Sequence, residues 1–201
     1  MTEQEVEVKF YVNNSAAVEK KLRSEGANLV QVRILELNLR FDTPTGSLTK
    51  GGRVLRLRQE ARAVMTYKGP SLLDQQVSMR QEIEFNVSDF TAARHLLEAL
   101  GFQVAVIYEK YRTTYVIDRV EIVIDEMPFG DFVEIEGPEP DSIQAVAQKL
   151  GLNWENRSTD SYIGLFSRLH QKRNFPFRDL TFANFEGIKV EPEELGLRYA
   201  D

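Results

Sequence analysis

Six stretches of this chain alternate a charged residue with an apolar one, and no other feature limits the fold as tightly. Glu5-Val6-Glu7-Val8-Lys9-Phe10 sets the pattern, and Leu55-Arg56-Leu57-Arg58, Gln81-Glu82-Ile83-Glu84-Phe85 and Val133-Glu134-Ile135-Glu136 repeat it. Lys110 and Arg112, and then Glu121 and Asp125, hold the same parity in two further segments. A period of two puts every second side chain on one face of a strand, so each stretch has one apolar and one charged face. A single strand of this kind is ordinarily half of a solvated sheet. Such faces draw freely on Thr, Ser and Gln, whereas these carry full charges, with Glu-x-Glu and Arg-x-Arg repeated. Like charges two residues apart lie about 7 Å from each other and repel unless the opposite sign stands between them.

The strands are set in a repeated unit: an acidic alternating strand, a capped helix and a glycine stop. In the first unit the strand is Glu3 to Val12, Asn13, Asn14 or Ser15 can cap the helix, and Gly26 ends it. In the second, Arg80 to Phe85 precede a helix from Phe90 to Leu100, capped by Ser88 or Asp89 and stopped by Gly101. In the third, Val133 to Glu136 precede a helix from Ile143 to Leu150, with Asp141 as the expected cap and Gly151 as the stop. Further strands are expected over Asn28 to Asp42, Arg53 to Glu60, Val64 to Lys68, Val104 to Ile117 and Val120 to Asp125, and a short helix over Asp160 to Leu169. Short connections between eight or so strands predict an antiparallel α+β fold with flanking helices, and strands with one polar and one apolar face can close into a β-barrel. Residues 1–170 read as one domain and 171–201 as a C-terminal extension in which Phe175, Phe177, Phe182 and Phe185 show no period. Those phenylalanines are open to three readings: an interface, a plug, or a satellite docked on the core.

A net charge of −6 over 201 residues argues against nucleic acid or an anionic membrane as partner. The absence of cysteine removes disulfides, cysteine zinc sites and thiol nucleophiles together. No run approaches the roughly 18 apolar residues of a membrane span, and the N-terminus has no apolar leader. A cytoplasmic chain is expected, and a homodimer is compatible with it. His95 and His170 have no partner at metal-ligand spacing and read as structural or surface residues. Trp154 reads as packing, Lys20-Lys21 as a solvated helix face, and Gly51-Gly52-Arg53 as a hairpin turn, because it lacks the Lys-Ser/Thr of a P-loop.

If the charged faces turn inward, Lys9, Arg56, Arg58, Lys68, Arg80, Lys110 and Arg112 would surround a polyanion, with Arg as bidentate forks and Lys as point charges. Paired glutamates would hold Mg²⁺ or Mn²⁺, hard cations that take carboxylate and phosphate oxygens. A lumen with both signs suits a metal-nucleotide or metal-polyphosphate: bases for the phosphates, acids for the metal.

Glu5-Val6-Glu7-Val8-Lys9 resembles the ExExK signature of the CYTH superfamily, the triphosphate tunnel metalloenzymes, and the resemblance implies a closed eight-stranded antiparallel β-barrel, or tunnel, with flanking helices. The order of further segments strengthens the resemblance: Phe41-Asp42-Thr43-Pro44, Leu55 to Arg58, Thr66-Tyr67-Lys68-Gly69-Pro70, Arg80 to Glu84, Lys110-Tyr111-Arg112, Asp125, Gly130 through Glu136, and Ser161-Tyr162. The Tyr-Lys-Gly-Pro turn and the Gly-x-Phe-Val-Glu-Ile-Glu segment are most similar to the class IV adenylyl cyclase branch. The resemblance implies that Glu5, Glu7, Asp125, Glu134 and Glu136 face metal, and that Lys9, Arg56, Arg58, Lys68, Lys110 and Arg112 face phosphates, with Arg80 beside them and Glu82, Glu84, Glu121 and Arg40 also lining the tunnel. Where that branch commonly has an aromatic residue just before the Phe-Asp-Thr turn, this chain has Arg40. Three activities follow as expectations: cyclisation of ATP to cyclic AMP and pyrophosphate, hydrolysis of an inorganic or organic triphosphate, and polyphosphate or nucleotide binding without turnover. For hydrolysis, Lys68 or Lys110, if crowded by other cations, would be the general base.

Overall fold

In the computed structural model the structure describes residues 3–73 and 77–201. The elements follow in the order β1 (Glu3–Val12), α1 (Ser15–Ser24), β2 (Asn28–Asp42), α2 (Ser47–Lys50), β3 (Val54–Gln59), β4 (Ala63–Lys68), β5 (Leu72–Leu73), β6 (Ser78–Val87) and α3 (Phe90–Ala99). Then come β7 (Gln103–Ile117), β8 (Val120–Met127), β9 (Gly130–Glu136), α4 (Pro140–Lys149), β10 (Arg157–Ser158), α5 (Tyr162–Arg173) and α6 (Pro192–Leu195). Strands pair antiparallel in the order β1-β9-β8-β7-β2-β3-β4-β6, and β6 pairs back onto β1. The sheet thus closes on itself as an eight-strand ring, with β5 and β10 as short additions. Closure leaves the ring strands without a long free edge.

The capped helices form as their sequences dictate. Asn14 accepts from the Ala17 amide, Asp89 from the Ala92 amide, and Gly26, Gly101 and Gly151 take the positive φ that ends each helix. The third cap differs from expectation. Glu139 occupies the position, Pro140 opens α4, and Asp141 lies in the first turn, because proline is favoured at N1 where its missing N–H is not needed. The Thr43 to Gly52 segment is more than a turn: Asp42 accepts from the Thr43, Leu48 and Thr49 amides and organises the single-turn α2.

On β1, β8 and β9 and on β2 to β4 the apolar parity faces outward onto the helices, while Ile83 and Phe85 of β6 stay exposed. Val6, Val8 and Phe10 of β1, Ile122 of β8, and Val133 and Ile135 of β9 pack with Val18 and Leu22 of α1 and Ile143 and Val146 of α4. On the other side Leu39, Phe41, Leu57 and Met65 pack against Ala93 and Leu97 of α3. Gly130 is required where β8 turns into β9: its φ is +133°, and a Cβ there would overlap the Tyr11 ring.

A third apolar cluster closes one end of the ring. Tyr11, Tyr108, Met127 and Phe132 continue the charged parity of β1, β7, β8 and β9, but they pack against Leu165, Phe166 and Leu169 of α5 and against Leu180, Phe185 and Leu195. Phe175, Phe177 and Phe185 of the extension are therefore a docked satellite of the core, while Phe182 packs on the Tyr111 ring. Leu180 exchanges backbone hydrogen bonds with Ile107 and Glu109, and Asp201 accepts from the Asn13 and Asn14 amides at the start of α1. Trp154 packs beside Phe10, and the His170 ring reaches the Phe177 carbonyl at 2.9 Å. Among the described residues no helix is long and apolar enough to cross a membrane.

Candidate active site

The charged parity of the strands turns inward onto one cavity of about 1030 Å³. Its wall includes Glu5, Glu7, Lys9, Arg40, Arg56, Arg58, Lys68, Arg80, Glu82, Glu84, Lys110, Arg112, Glu121, Glu134 and Glu136. Of the side chains expected at the site, Asp125 alone stands outside that wall. It is fully buried, its oxygens held by Lys110 at 2.9 Å, by the Arg112 fork at 2.8 and 2.7 Å, and by the Tyr162 hydroxyl at 2.8 Å. In this arrangement Asp125 anchors the cations behind the wall.

Register pairs these charges across strands. Lys9 lies opposite Glu134, Glu5 opposite Arg80, Lys68 opposite Glu82, Arg112 opposite Asp125, and Lys110 opposite Glu36. The contacts follow: Lys9 reaches Glu7 at 2.5 Å and Glu134 at 3.0 Å, Arg80 reaches Glu5 at 3.0 Å, and Lys68 holds Glu5 directly and Glu82 at 3.2 Å. Burial alone would raise Glu5, yet Lys68, Arg80 and Lys9 bring it down to about 2. Glu134 is held well below the usual carboxylate range by Lys9 and Arg112 against the same burial. Lys68 and Lys110, expected to be crowded by cations, are each clasped between two carboxylates, Glu5 and Glu82 for one, Asp125 and Glu36 for the other. A second cation stands near each of them, Arg112 on the same Asp125 oxygen as Lys110 and Arg80 on the same Glu5 carboxylate as Lys68, with the acids between.

Two places break the alternation of sign. Glu7, Glu136 and Glu121 stand in one row across β1, β9 and β8. Burial and the neighbouring Glu5, Glu134, Glu7 and Glu121 push Glu136 up to about 8. Arg40 stands opposite Arg56 across β2 and β3. Like charges facing each other across strands are destabilising on their own, so the lumen holds one acid-rich and one base-rich row within an otherwise neutralised wall.

The acid-rich row suits a hard divalent cation: its donors are all carboxylate oxygens, and a cation there would relieve the repulsion that raises Glu136. Among the described residues no group of three acids or histidines already stands at metal-ligating spacing, since Glu5, Glu7 and Glu134 are turned to Lys68, Lys9, Arg80 and Arg112.

Three residues at the site were not singled out from the sequence, and a fourth, Tyr162, was marked only by the family resemblance. Glu36 and Asn38 are fully buried on the inner face of β2, and none of their side-chain polar atoms has a hydrogen-bond partner; Glu36 has Lys110 at 3.5 Å and Arg58 at 3.7 Å. Their signal was present, because Glu36-Leu37-Asn38-Leu39-Arg40 alternates like the other strands. Tyr108 shares the parity of Lys110 and hydrogen-bonds Arg56 at 3.4 Å. Tyr162, at the start of α5, lies under the Lys9 and Lys110 ammoniums at 5.4 Å from each; no strand pattern marks it.

A ring of eight antiparallel strands with this lumen is a tunnel, and the profile of the CYTH domain matches residues 3–162. The chain belongs to the CYTH family. Among solved structures, this CYTH chain is similar to a Pyrococcus horikoshii OT3 protein at 30% identity, with 79% of this chain and 97% of that one covered and a TM-score of 0.67. A Vibrio parahaemolyticus protein described as a proposed adenylate cyclase shares the fold at 24% identity, with coverage of 83% and 99% and a TM-score of 0.75. A Hippeastrum protein, described as a proposed adenylyl cyclase with a dominant triphosphatase activity, also shares it, at 19% identity, 96% and 100% coverage and a TM-score of 0.61. No curated protein sequence matches this CYTH chain.

Proposed function

We propose that this CYTH chain is a divalent-metal-dependent enzyme that cleaves a phosphoanhydride bond of a triphosphate, by hydrolysis in the reading favoured here. One observation carries it: the acid-rich row Glu7-Glu136-Glu121 and the base-rich pair Arg40-Arg56 face the same cavity. A metal-bound polyphosphate supplies the opposite charge to both. Glu5, Glu7, Glu134 and Glu136 would hold Mg²⁺ or Mn²⁺, which would draw charge from the phosphate oxygens. Arg56, Arg58, Arg80, Lys9, Lys68, Lys110 and Arg112 would bind and align the chain and take up charge that develops as the bond to the leaving phosphate lengthens. Their carboxylate partners fix each cation beforehand, so little reorganisation accompanies reaction. Hydrolysis is favoured because the wall is charged on every strand, while its aromatic rings, Tyr108 and Tyr162, are engaged by Arg56 and Asp125.

Cyclisation of ATP, with attack of the 3′-hydroxyl on the α-phosphorus and departure of pyrophosphate, is the second reading. The Tyr67-Lys68-Gly69-Pro70 turn and the Gly130 to Glu136 segment favour it. Residues 171–201 are read as an extension that shuts one end of the catalytic domain. Incubation with tripolyphosphate and ATP under Mg²⁺ and Mn²⁺ tests the proposal: orthophosphate release supports hydrolysis, cyclic AMP with pyrophosphate supports cyclisation, and tight binding without products would replace both by a binding module.

A further inference from the structure

Arg40 differs from every other arginine and lysine on the strands that line the cavity. Lys9, Arg56, Arg58, Lys68, Arg80, Lys110 and Arg112 each have a carboxylate within 4 Å. Among the described residues Arg40 has neither an ion pair nor a hydrogen bond, though it lines the cavity and is partly buried. Its cross-strand neighbour is Arg56, and Arg80 also faces it closely enough to repel it. Burial, with the charges of Arg80 and Arg56, pushes the Arg40 guanidinium below its ordinary value, against attraction from Tyr108 and from Asp42, which stands beyond ion-pair distance. A second observation points to the same spot. Two residues back on the same face of β2, the fully buried Asn38 amide has partners for neither its oxygen nor its nitrogen, and the Nε atoms of Arg56 and Arg58 on the adjoining strand are unpartnered as well. Unpartnered polar atoms lie here on two strands, beside a cation that no carboxylate among the described residues reaches at ion-pair distance.

Resting on the triphosphate reading above, we propose that Arg40 is the specificity-determining residue for chain length, the group that reads the terminal phosphate of the substrate and so separates triphosphates from diphosphates. A cation already clasped by a carboxylate gains less from an added phosphate, because it gives up or shares its internal partner. Arg40 has no such partner to give up. The phosphate that reaches it therefore contributes the largest increment of affinity, and a chain one phosphate shorter forfeits that increment. What lies at the other end of the substrate does not enter, so inorganic and nucleoside triphosphates are read alike.

The test is calorimetric titration of wild type, Arg40→Gln and Arg40→Lys with pyrophosphate and tripolyphosphate, and with ADP and ATP, all in Ca²⁺. Wild type is expected to bind each triphosphate at least about tenfold tighter than the matching diphosphate, the step that one charge-assisted contact supplies. Arg40→Gln should remove most of that ratio while leaving diphosphate affinity within about twofold, and Arg40→Lys should restore part of it, since the charge is kept and the fork lost. Because the substitution relieves repulsion with Arg56, the Gln variant should unfold at a temperature no lower than wild type. Equal weakening of di- and triphosphate in Arg40→Gln, or no change in the ratio, would overturn the role of Arg40 and leave the triphosphate site standing. Failure of wild type to bind any of the four would remove the triphosphate site itself.

Discussion

Arg112 grips Asp125 with both arms of its fork, Nε to Oδ1 at 2.8 Å and a terminal nitrogen to Oδ2 at 2.7 Å, across the β7–β8 register. Asp125 is fully buried, and Lys110 and Tyr162 complete its coordination. Replacing it by alanine takes from two cations their nearest counter-ion, leaving Lys110 with Glu36 at 3.5 Å and Arg112 with Glu134 at 3.2 Å. Asp125→Ala should therefore lose about 3 to 5 kcal/mol of stability, read from urea unfolding; a loss below about 1 kcal/mol would show that solvent already screens this pair.

Glu134 and Glu136 lie two apart on one strand face, yet their substitutions should have opposite effects. Glu134 is held by Lys9 at 3.0 Å and Arg112 at 3.2 Å, so Glu134→Gln should destabilise by about 1 to 3 kcal/mol. Glu136 faces Glu7 and Glu121, so Glu136→Gln should leave stability unchanged or raised at pH 8. Denaturation midpoints of the two variants decide the matter, and a loss in both would mean that the acid-rich row is not repulsive.

The same row sets a pH dependence. Burial with the neighbouring acids raises Glu136 to about 8, and burial, opposed by Lys68, raises Glu82 to about 7. Between the usual glutamate value and these, the folded protein keeps protons that the unfolded chain has released, so stability falls as pH climbs from about 5 to 8. Glu5, lowered to about 2, has the opposite sign: its contribution is complete above the usual glutamate value and is lost as pH falls toward 2. Melting temperature should peak near pH 5, the alkaline fall should be shallower in Glu136→Gln, and Mg²⁺ or Mn²⁺ should recover more in wild type than in that variant. A flat profile from pH 5 to 8 would contradict the raised values.

Phe185 is buried among Phe129, Phe166, Phe175 and Phe177. Phe185→Ala should cost about 3 to 5 kcal/mol, measured by the same unfolding curves. If the extension were an independent attachment, the variant would instead leave the main transition in place.

Much of the tunnel was legible in the sequence because period-two alternation is a statement about faces, and closure forces all the charged faces to share one interior. The alternation of Glu5, Glu7 and Lys9 put their side chains on one face, and ring closure turned that face inward. Parity cannot tell wall from anchor. Asp125 has the parity of Glu121, yet it lies behind the wall, because the partners that cover it come from β7 and from Tyr162 on α5, far away in sequence. Neither could it give signs their neighbours: Glu134 and Glu136 look alike along the strand and differ only through the strands beside them. The extension was illegible for a related reason. Its phenylalanines have no period since they fill gaps between α5 and one end of the ring, and a gap has no repeat.

Ring closure also orders events during synthesis. The partners of β1 are residues 78–82, 131–136 and 157–158, and the Tyr11 carbonyl and the Asn13 and Asn14 amides await residues 200 and 201. β1 precedes all of these partners in the chain and is thus among the last of the ring strands to be satisfied on both sides; until Glu136 emerges it presents an open edge carrying Val6, Val8 and Phe10. Such long-range pairing slows folding and exposes sticky intermediates. Glu5, Glu7 and Lys9, interleaved with those apolar residues, supply the charge that discourages β1 from pairing with a neighbouring nascent chain in the interval.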